Sequence, residues 1–556
     1  MPVEMMKRAF LLLFALLTAG VVSAQSATPL DLANATIADL NVAFKNGTLT
    51  AERLTELYLA RIAAYDKQGP TLNAVIALNP NALNDARALD AERKAGNVRG
   101  PLHGIPIVLK DNFNTRDLPT TGGSQLLEGS IPPSDAFVVR KLRDAGVIIL
   151  AKTNLSEFAS GGGSVIGARD PAIIRAGQIP DGFSSMGGQT RNPHDPTRGP
   201  GASSGGSGVS VAAVFAQLGL GTDTAGSIRG PAAANGVVGL KTTRGLVSRT
   251  GLLPLANYDT VGPIARHVSD VAMVLNVLAG PDRADDSTKL GAGKVQKDYT
   301  RFLKIGSLKG ARIGIGRDFT GPDPETIRIS EEAIATLKTL GAVIVDPITF
   351  PDHLLQMKQP VFTLVRNSEF KALMAAYLKT LKPGYPRTLE ELIAKAADPN
   401  TQYRSPEKLV GLRYSNSVAL EMNDPVYLAA KNEGYRAVTA GVEAIFAKYQ
   451  LDAIVYPTAN RPAGLLQPPA PAAPAPAAGP VVGGESASLF ADETGFPDIA
   501  VPAGMTKDAL PVTISFMGQA FSEPKLLGYA YDFEQATHAR VLPKHTPALP
   551  ADTLGR

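Results

Sequence analysis

Two serines in small-residue loops and one isolated lysine are the residues of this chain best suited to chemistry. Ser203 lies in the glycine-rich stretch 201–208, and Ser227 lies downstream in the similar stretch 221–229. Lys110 ends an apolar run further upstream. Glycine-rich loops let a reacting group approach the backbone and its N–H donors, and serine becomes a good nucleophile when a base takes its proton. The pattern indicates a serine hydrolase whose base is not histidine.

Histidine, the usual base of serine hydrolases, has no suitable context in this chain. None of the six histidines lies in a G-x-S-x-G elbow or in a metal-ligand pattern. We therefore expect structural roles for all six, which are His103, His194, His267, His353, His538 and His545.

Lys110 follows apolar and small residues, so a strand would carry it into the interior. Burial disfavours the ammonium form and lowers the pKa toward that of a useful base. The adjacent Asp111 would oppose this effect, but successive strand residues point to opposite faces. A salt-bridged lysine at a strand end remains the alternative interpretation.

The loop around Ser227 has the features of an oxyanion site. Four successive backbone N–H groups could converge on one developing negative charge, those of Thr224, Ala225, Gly226 and Ser227. We expect Asp223 and Arg229 to brace this loop as an ion pair. For Ser203 the alternative is a helix-capping loop or an anion cradle; no G-K-[ST] follows, so the stretch is not a P-loop.

The bulk composition excludes several classes of function. The 556 residues carry a formal net charge of only +4, from 55 basic and 51 acidic residues. No long block of like charges occurs, so we expect no nucleic-acid partner. There is no cysteine, which excludes disulfides, thiolate metal sites and a cysteine nucleophile. We expect no metal and no organic cofactor, and the sequence assigns no oligomeric state.

The N-terminus has the pattern of a secretory signal. Lys7 and Arg8 precede an apolar run over residues 9–20, and small residues follow up to Ala24. We predict a signal peptide over residues 1–24, cleaved after Ala24, and a secreted or periplasmic protein with no stable membrane association after removal. An uncleaved N-terminal anchor is the alternative.

Periodicity predicts an α/β fold. Helices are expected at 50–65, at 82–94, from a Ser134 cap through 143, at 209–217, and over much of 325–345 and 355–450. Strands are expected at 105–109, 147–151, 218–222, 451–456, 498–501 and 512–517. Residues 160–200 should form a long ordered loop, and residues 463–484 a Pro/Ala-rich surface loop. We predict one large domain, residues 28–545, with a central mixed sheet covered by helices on both faces.

Several long motifs together resemble the amidase signature family. Residues 201–241 are similar to its signature and residues 104–112 to its lysine motif. Residues 150–158 resemble the segment that follows, and residues 494–504 resemble its C-terminal strand motif. The motifs occur in the family's order and cover roughly residues 30–540.

The resemblance implies a Ser–Ser–Lys triad. Ser227 would be the nucleophile, Ser203 the bridging serine after a cis peptide bond, and Lys110 the base. Ala202 and Ala225 stand at positions where the family commonly has glycine.

Three functions follow as hypotheses. The first is an amidohydrolase that forms an acyl-enzyme on Ser227 and cleaves a small-molecule or peptide amide. The sequence does not decide between peptide amides, aryl amides, aliphatic amides and urethanes as substrates, or whether esters are cleaved as well. The second is a secreted binding protein of the same fold without turnover. The third is one component of an amidotransferase, against which the signal peptide argues.

Overall fold

The computed structural model describes residues 30–160, 165, 167–466 and 487–554. The predicted signal peptide and residues 467–484 of the predicted Pro/Ala-rich loop lie outside the described residues. Within the described ranges no helix is long and apolar enough to cross a membrane.

Fifteen strands occur in the described residues, and most of them join one sheet. They are β1 (Leu30–Asp31), β2 (Val75–Leu78), β3 (Pro106–Lys110), β4 (Ile148–Thr153), β5 (Phe183–Ser184), β6 (Gly188–Gln189), β7 (Leu218–Asp223), β8 (Val238–Lys241), β9 (Thr260–Ala265), β10 (Arg312–Ile315), β11 (Val343–Val345), β12 (Ala453–Pro457), β13 (Asp498–Met505), β14 (Pro511–Met517) and β15 (Thr553–Leu554).

Sixteen α-helices accompany them in the same described ranges. They are α1 (Ile37–Asn46), α2 (Ala51–Tyr65), α3 (Ala82–Lys94), α4 (Phe137–Asp144), α5 (Pro171–Ala176), α6 (Gly205–Ala212), α7 (Arg229–Asn235), α8 (Val268–Leu278), α9 (Pro324–Thr339), α10 (Asp352–Leu378), α11 (Leu389–Ala397), α12 (Pro406–Val418), α13 (Pro425–Ala429), α14 (Tyr435–Tyr449), α15 (Ser488–Thr494) and α16 (Glu523–Thr537). A π-helical turn, Ala430–Gly434, joins α13 to α14.

The central sheet has 11 strands in the order β11–β10–β12–β14–β13–β8–β9–β7–β3–β4–β2. Parallel pairs occur in two groups, β11–β10–β12 and β7–β3–β4, while the remaining pairs are antiparallel. Strands β3, β4, β7 and β9 are buried along their whole length. A strand that is buried throughout is covered on both faces, so the predicted mixed α/β architecture is confirmed.

Local sequence signals set several element ends. The Thr50 hydroxyl accepts the Arg53 N–H and begins α2, and Gly47 ends α1 in the left-handed conformation. Helix α3 has the bounds that the periodicity predicted.

Two predicted helices had wrong ends. Helix α4 begins at Phe137, because the side chain expected to cap it, Ser134, makes no cap and Ala136 precedes the first turn. The helix predicted at 209–217 is α6, which begins among the glycines and ends at Ala212. A Cβ on Gly206 would lie 2.4 Å from the Asn154 carbonyl oxygen, so the glycines form a closely packed first turn.

The predicted loop 160–200 contains short regular elements in its described part. Helix α5 begins with an Asp170 cap and a proline, and β5 and β6 pair as a small hairpin. Strand β12, predicted at 451–456, begins at Ala453 and extends through Pro457, which pairs with Ile514 of β14.

Candidate active site

Lys110 ends β3 and is fully buried. Its Nζ lies 2.7 Å from Ser203 Oγ, 2.9 Å from Thr222 Oγ1 and 3.3 Å from the Thr222 carbonyl oxygen. None of these partners is a carboxylate, so the alternative of a salt-bridged lysine does not describe this side chain.

Asp111, the neighbour that would have kept Lys110 charged, is bound elsewhere. Its carboxylate lies 2.9 Å from Lys152 Nζ and accepts the Thr121 hydroxyl. The strand alternation expected from the sequence therefore separates Asp111 from Lys110.

Burial lowers the pKa of Lys110 to about 7, and the more distant Asp259 and Asp223 carboxylates offset part of that effect. A lysine with this pKa is substantially neutral near physiological pH. Its nitrogen then carries a lone pair that can accept a proton from a hydroxyl.

Ser203 is fully buried just before α6, and the peptide bond between Ala202 and Ser203 is cis. The Ser156 N–H donates to the Ser203 carbonyl oxygen over 3.0 Å. The first turn of α6 and the segment after β4 thus hold this serine against Lys110.

Ser227 lies next to the Ser203 segment, since the Ser204 N–H donates to the Ser227 carbonyl oxygen over 3.2 Å. Ser227 is 8% exposed, and its hydroxyl makes no hydrogen bond with the part of the chain that the structure describes. The structure therefore brings Lys110 and Ser203 into direct contact and places Ser227 beside them with its hydroxyl uncommitted.

The Ser227 loop, residues 223–229, is shaped by the carboxylate of Asp223. That carboxylate accepts the N–H groups of Gly226 at 2.6 Å and Ile228 at 2.9 Å. Thr224 is held from the other side, because its hydroxyl donates to Asp259 over 2.5 Å.

Of the four N–H groups expected to form an oxyanion site, one already has an acceptor in the described chain and three have none. That of Gly226 donates to Asp223, whereas those of Thr224, Ala225 and Ser227 have no acceptor within the described residues. Three N–H donors of the loop are thus free to bind an oxyanion.

Arg229 braces the Ser227 loop more extensively than the sequence indicated. The expected contact with Asp223 is present at 3.1 Å, and the same buried guanidinium contacts Asp492 at 2.8 Å and Asp498 at 2.9 Å. The Asp498 carboxylate also accepts the Tyr456 hydroxyl. Arg229 therefore connects the loop to α15 and β13.

Four side chains that contact Lys110, the Ser227 loop or Arg229 were not predicted from the sequence, namely Thr222, Asp259, Asp492 and Asp498. Asp498 carried a signal, because it lies within the C-terminal motif at 494–504. Thr222 carried one too, because it lies within the signature at 201–241, whereas Asp259 and Asp492 have no distinctive local pattern.

Substitution of Arg229 by methionine should strongly destabilise the protein. It leaves three buried carboxylates without their shared cation, and breaking a buried ion pair from one side typically costs about 3–5 kcal/mol. Urea unfolding followed by circular dichroism measures the effect.

The exposed pair of Arg53 and Glu56 supplies the control. Arg53→Met should leave the urea midpoint almost unchanged, because exposed ion pairs contribute little. Equal midpoints for the two variants would contradict a structural role for the Arg229 cluster.

A cavity of about 760 Å³ adjoins the Ser227 loop. Its lining includes Gly201, Ala202, Ala225, Gly226, Tyr456 and Leu466. This volume is typical of a site for a ligand well above the size of water or ammonia.

The two buried histidines have structural partners. His103 Nε2 lies 2.9 Å from the Leu89 carbonyl oxygen, and His194 Nε2 lies 3.1 Å from that of Asn235. No histidine in the described ranges hydrogen-bonds to Ser203 or Ser227. Among the described residues no group of three or more histidine or acidic side chains could hold a metal ion.

Comparison with known proteins gives consistent matches along the chain. The family model described as Amidase matches residues 53–527. The structure is similar to that of the native peptide amidase from Stenotrophomonas maltophilia, with a TM-score of 0.81 and 40% identity over 92% of this chain and 99% of that one.

Two further relatives are similar over comparable lengths. An amidase family protein from Bacillus anthracis is 32% identical, with a TM-score of 0.79, over 92% of this chain and 93% of that one. A glutamyl-tRNA(Gln) amidotransferase subunit from Symbiobacterium thermophilum is 34% identical over 530 residues, which are 93% of this chain and 98% of the relative.

Proposed function

The chain belongs to the amidase family and is an amidase, which hydrolyses the C–N bond of amides; from that premise we propose that it acts through an acyl-enzyme on Ser227. The observation that carries the mechanism is the 2.7 Å contact between the buried Lys110 Nζ and Ser203 Oγ. A neutral amine at this position is a base for the serine hydroxyl.

The partners of Lys110 fit a neutral amine. Such an amine has two N–H donors and one lone pair, and three oxygen atoms surround it. The Thr222 carbonyl oxygen accepts one N–H and the Thr222 hydroxyl oxygen accepts the other, so the lone pair can accept the Ser203 proton.

The proposed first half-reaction moves one proton along the three residues. Lys110 takes the proton of Ser203, which takes that of Ser227, and the Ser227 oxygen attacks the amide carbon. The tetrahedral intermediate collapses when the proton returns through Ser203 to the leaving nitrogen, which breaks the C–N bond.

The second half-reaction uses water as the nucleophile. Water attacks the acyl-Ser227 ester and passes its proton into the same relay, which releases the carboxylic acid and restores the Ser227 hydroxyl. The uncommitted N–H groups of Thr224, Ala225 and Ser227 support stabilisation of the oxyanion in both halves.

We propose peptides with a C-terminal amide as the substrate class, with release of ammonia. Support comes from the 40% identity to the peptide amidase of Stenotrophomonas maltophilia, and from the cavity beside the Ser227 loop. The similarity to the amidotransferase relative supports a second function, delivery of ammonia to a partner protein.

Ammonia release by the isolated chain tests this assignment. We expect turnover of N-acylated dipeptide amides without any partner protein, and slower turnover of acetamide because it leaves most of the cavity empty. A coupled glutamate dehydrogenase assay measures the ammonia. Activity that requires an added partner would instead favour the amidotransferase function, and inertness toward every amide would contradict both.

A further inference from the structure

A second cavity, also of about 760 Å³, adjoins the segment that supports the Ser227 loop, because Asn257 and Tyr258 line it. We call it the Arg244 cavity. Its lining includes Arg244, Asn257, Tyr258, Glu369, Lys431 and Tyr435. The mechanism proposed above uses none of these side chains.

Arg244 differs from the other cations of this cavity in having no counter-ion. Lys431 Nζ lies 2.9 Å from the buried Glu369 carboxylate, and at the rim Arg436 lies 3.5 Å from Glu433. The Arg244 guanidinium makes no hydrogen bond or ion pair with any described residue.

Glu369 forms no ion pair with Arg244, and its oxygens contact other groups. They accept the backbone N–H and the side-chain amide of Asn257 and the Tyr427 hydroxyl, in addition to contacting Lys431. Glu443, an exposed acidic residue at the rim on α14, forms no ion pair with Arg244 either.

Arg244 is partly buried, and burial lowers its pKa, as does the nearby cation of Arg249, while Tyr435 and Glu369 offset part of that effect. Arg249 itself is paired with Asp285 at 2.8 Å. A partly buried guanidinium without a counter-ion is costly, and carboxylates and phosphates are the groups that its N–H fork binds best.

Neutral hydrogen-bond donors adjoin this cation. The hydroxyl groups of Tyr258 and Tyr435 lie near each other, and neither makes a well-formed hydrogen bond with the described chain. Both carboxyl oxygens of Glu493 are likewise buried without a hydrogen-bond partner there. Burial raises the pKa of Glu493 to about 9, so at neutral pH this side chain is a neutral acid that can donate.

We propose that the Arg244 cavity binds a small oxyanion, a carboxylate or a phosphate, and that its occupancy alters the activity of the Ser227 loop. The cation without a partner and the surrounding donors supply the recognition. A bound oxyanion would supply the counter-ion that the Arg244 guanidinium lacks.

A short turn connects the cavity with the catalytic loop. Asn257 and Tyr258 line the cavity, and the next residue, Asp259, accepts the Thr224 hydroxyl over 2.5 Å. The same carboxylate accepts the N–H groups of Leu255 and Ala256. If oxyanion binding moves this turn, the hydrogen bond between Asp259 and Thr224 transmits the movement to the Ser227 loop.

Calorimetric titration of the whole chain with inorganic phosphate and, separately, with N-acetylglycine tests the proposal. We expect saturable binding of at least one probe, weakened at least about tenfold by Arg244→Gln, as expected for the loss of a charge-assisted contact. Arg436→Gln, at the rim, should leave the affinity unchanged. Binding of phosphate alone or of acetylglycine alone identifies which oxyanion chemistry the cavity prefers.

The same titration contains the outcomes that would overturn the proposal. Equal affinity of the wild type and Arg244→Gln would show that the ion binds elsewhere. No binding at probe concentrations of tens of millimolar would show that the cavity is not an oxyanion site. If Arg244→Gln does not fold, Tyr435→Phe, which removes one donor, should weaken binding. At saturating probe the hydrolysis rate of the wild type should change and that of Arg244→Gln should not; an unchanged wild-type rate would contradict the coupling.

Discussion

Replacement of Ser227 by alanine is expected to abolish both amide hydrolysis and covalent labelling by a sulfonyl fluoride. The variant removes the oxygen to which the acyl group would be bound, so no acyl-enzyme can form. Loss of the nucleophile from a serine hydrolase lowers kcat by about 10⁴-fold or more. Steady-state ammonia release and the intact mass of the protein after labelling measure the two effects.

The neighbouring Ser204 provides a matched control within the same cluster. Its hydroxyl is buried and, among the described residues, hydrogen-bonds only to the Thr222 carbonyl oxygen, over 3.4 Å. Ser204→Ala should therefore retain most of the activity and the stoichiometric mass shift. Wild-type turnover by Ser227→Ala, or labelling of that variant, would contradict the assignment of the nucleophile.

Replacement of Lys110 by methionine should lower kcat/KM by about 10²–10⁴-fold, the usual contribution of a general base. Because Lys110 must be neutral to accept a proton, wild-type kcat/KM should rise with pH and level off above about pH 7. The residual activity of the variant should lack this ascending limb. A pH–rate profile from about pH 5 to about pH 9 measures both.

The stability of the Lys110→Met variant gives an independent check. Folding lowers the pKa of Lys110 from its ordinary value to about 7, so the buried charge destabilises the native state fully below that pH. That penalty fades as the pH rises toward the unfolded pKa. The variant should therefore be more stable than the wild type at about pH 6, with a smaller difference at about pH 9.

Lys152 is the matched buried lysine for this comparison, because it is equally buried but paired with Asp111 at 2.9 Å. Lys152→Met leaves that carboxylate buried and unpaired and should destabilise the protein at both pH values. A flat pH–rate profile for the wild type, or destabilisation by Lys110→Met at the lower pH, would contradict a neutral Lys110.

Elements with strong local signals were predictable from the sequence. Helix α3 has the bounds that its apolar periodicity predicts. Thr50 caps α2, as expected from its residue type. Helix α6 was misplaced because its glycines have low helix propensity, and they are explained by close packing such as that of Gly206 on Asn154 and Gly205 on Pro200. The order of the 11 strands depends on contacts between distant segments, which periodicity does not contain.

For the candidate site, the residue types and the strand alternation at Lys110 were sufficient to predict its burial and its separation from Asp111. The roles of Thr222 and Asp259 were not predictable, because they arise where the ends of β7 and β9 meet. The two additional partners of Arg229 come from residues more than 260 positions away, beyond the reach of any local pattern.

These distant partners have a consequence for the protein during its synthesis. Until a ribosome has added residue 498, the nascent chain contains Lys110, Ser203 and Ser227 but not Asp498. Arg229 then lacks one of the carboxylates that fix it in the finished fold. Formation of the complete Arg229 cluster is thereby tied to synthesis of the C-terminal motif, and a product terminated before residue 498 would lack part of the support of its Ser227 loop.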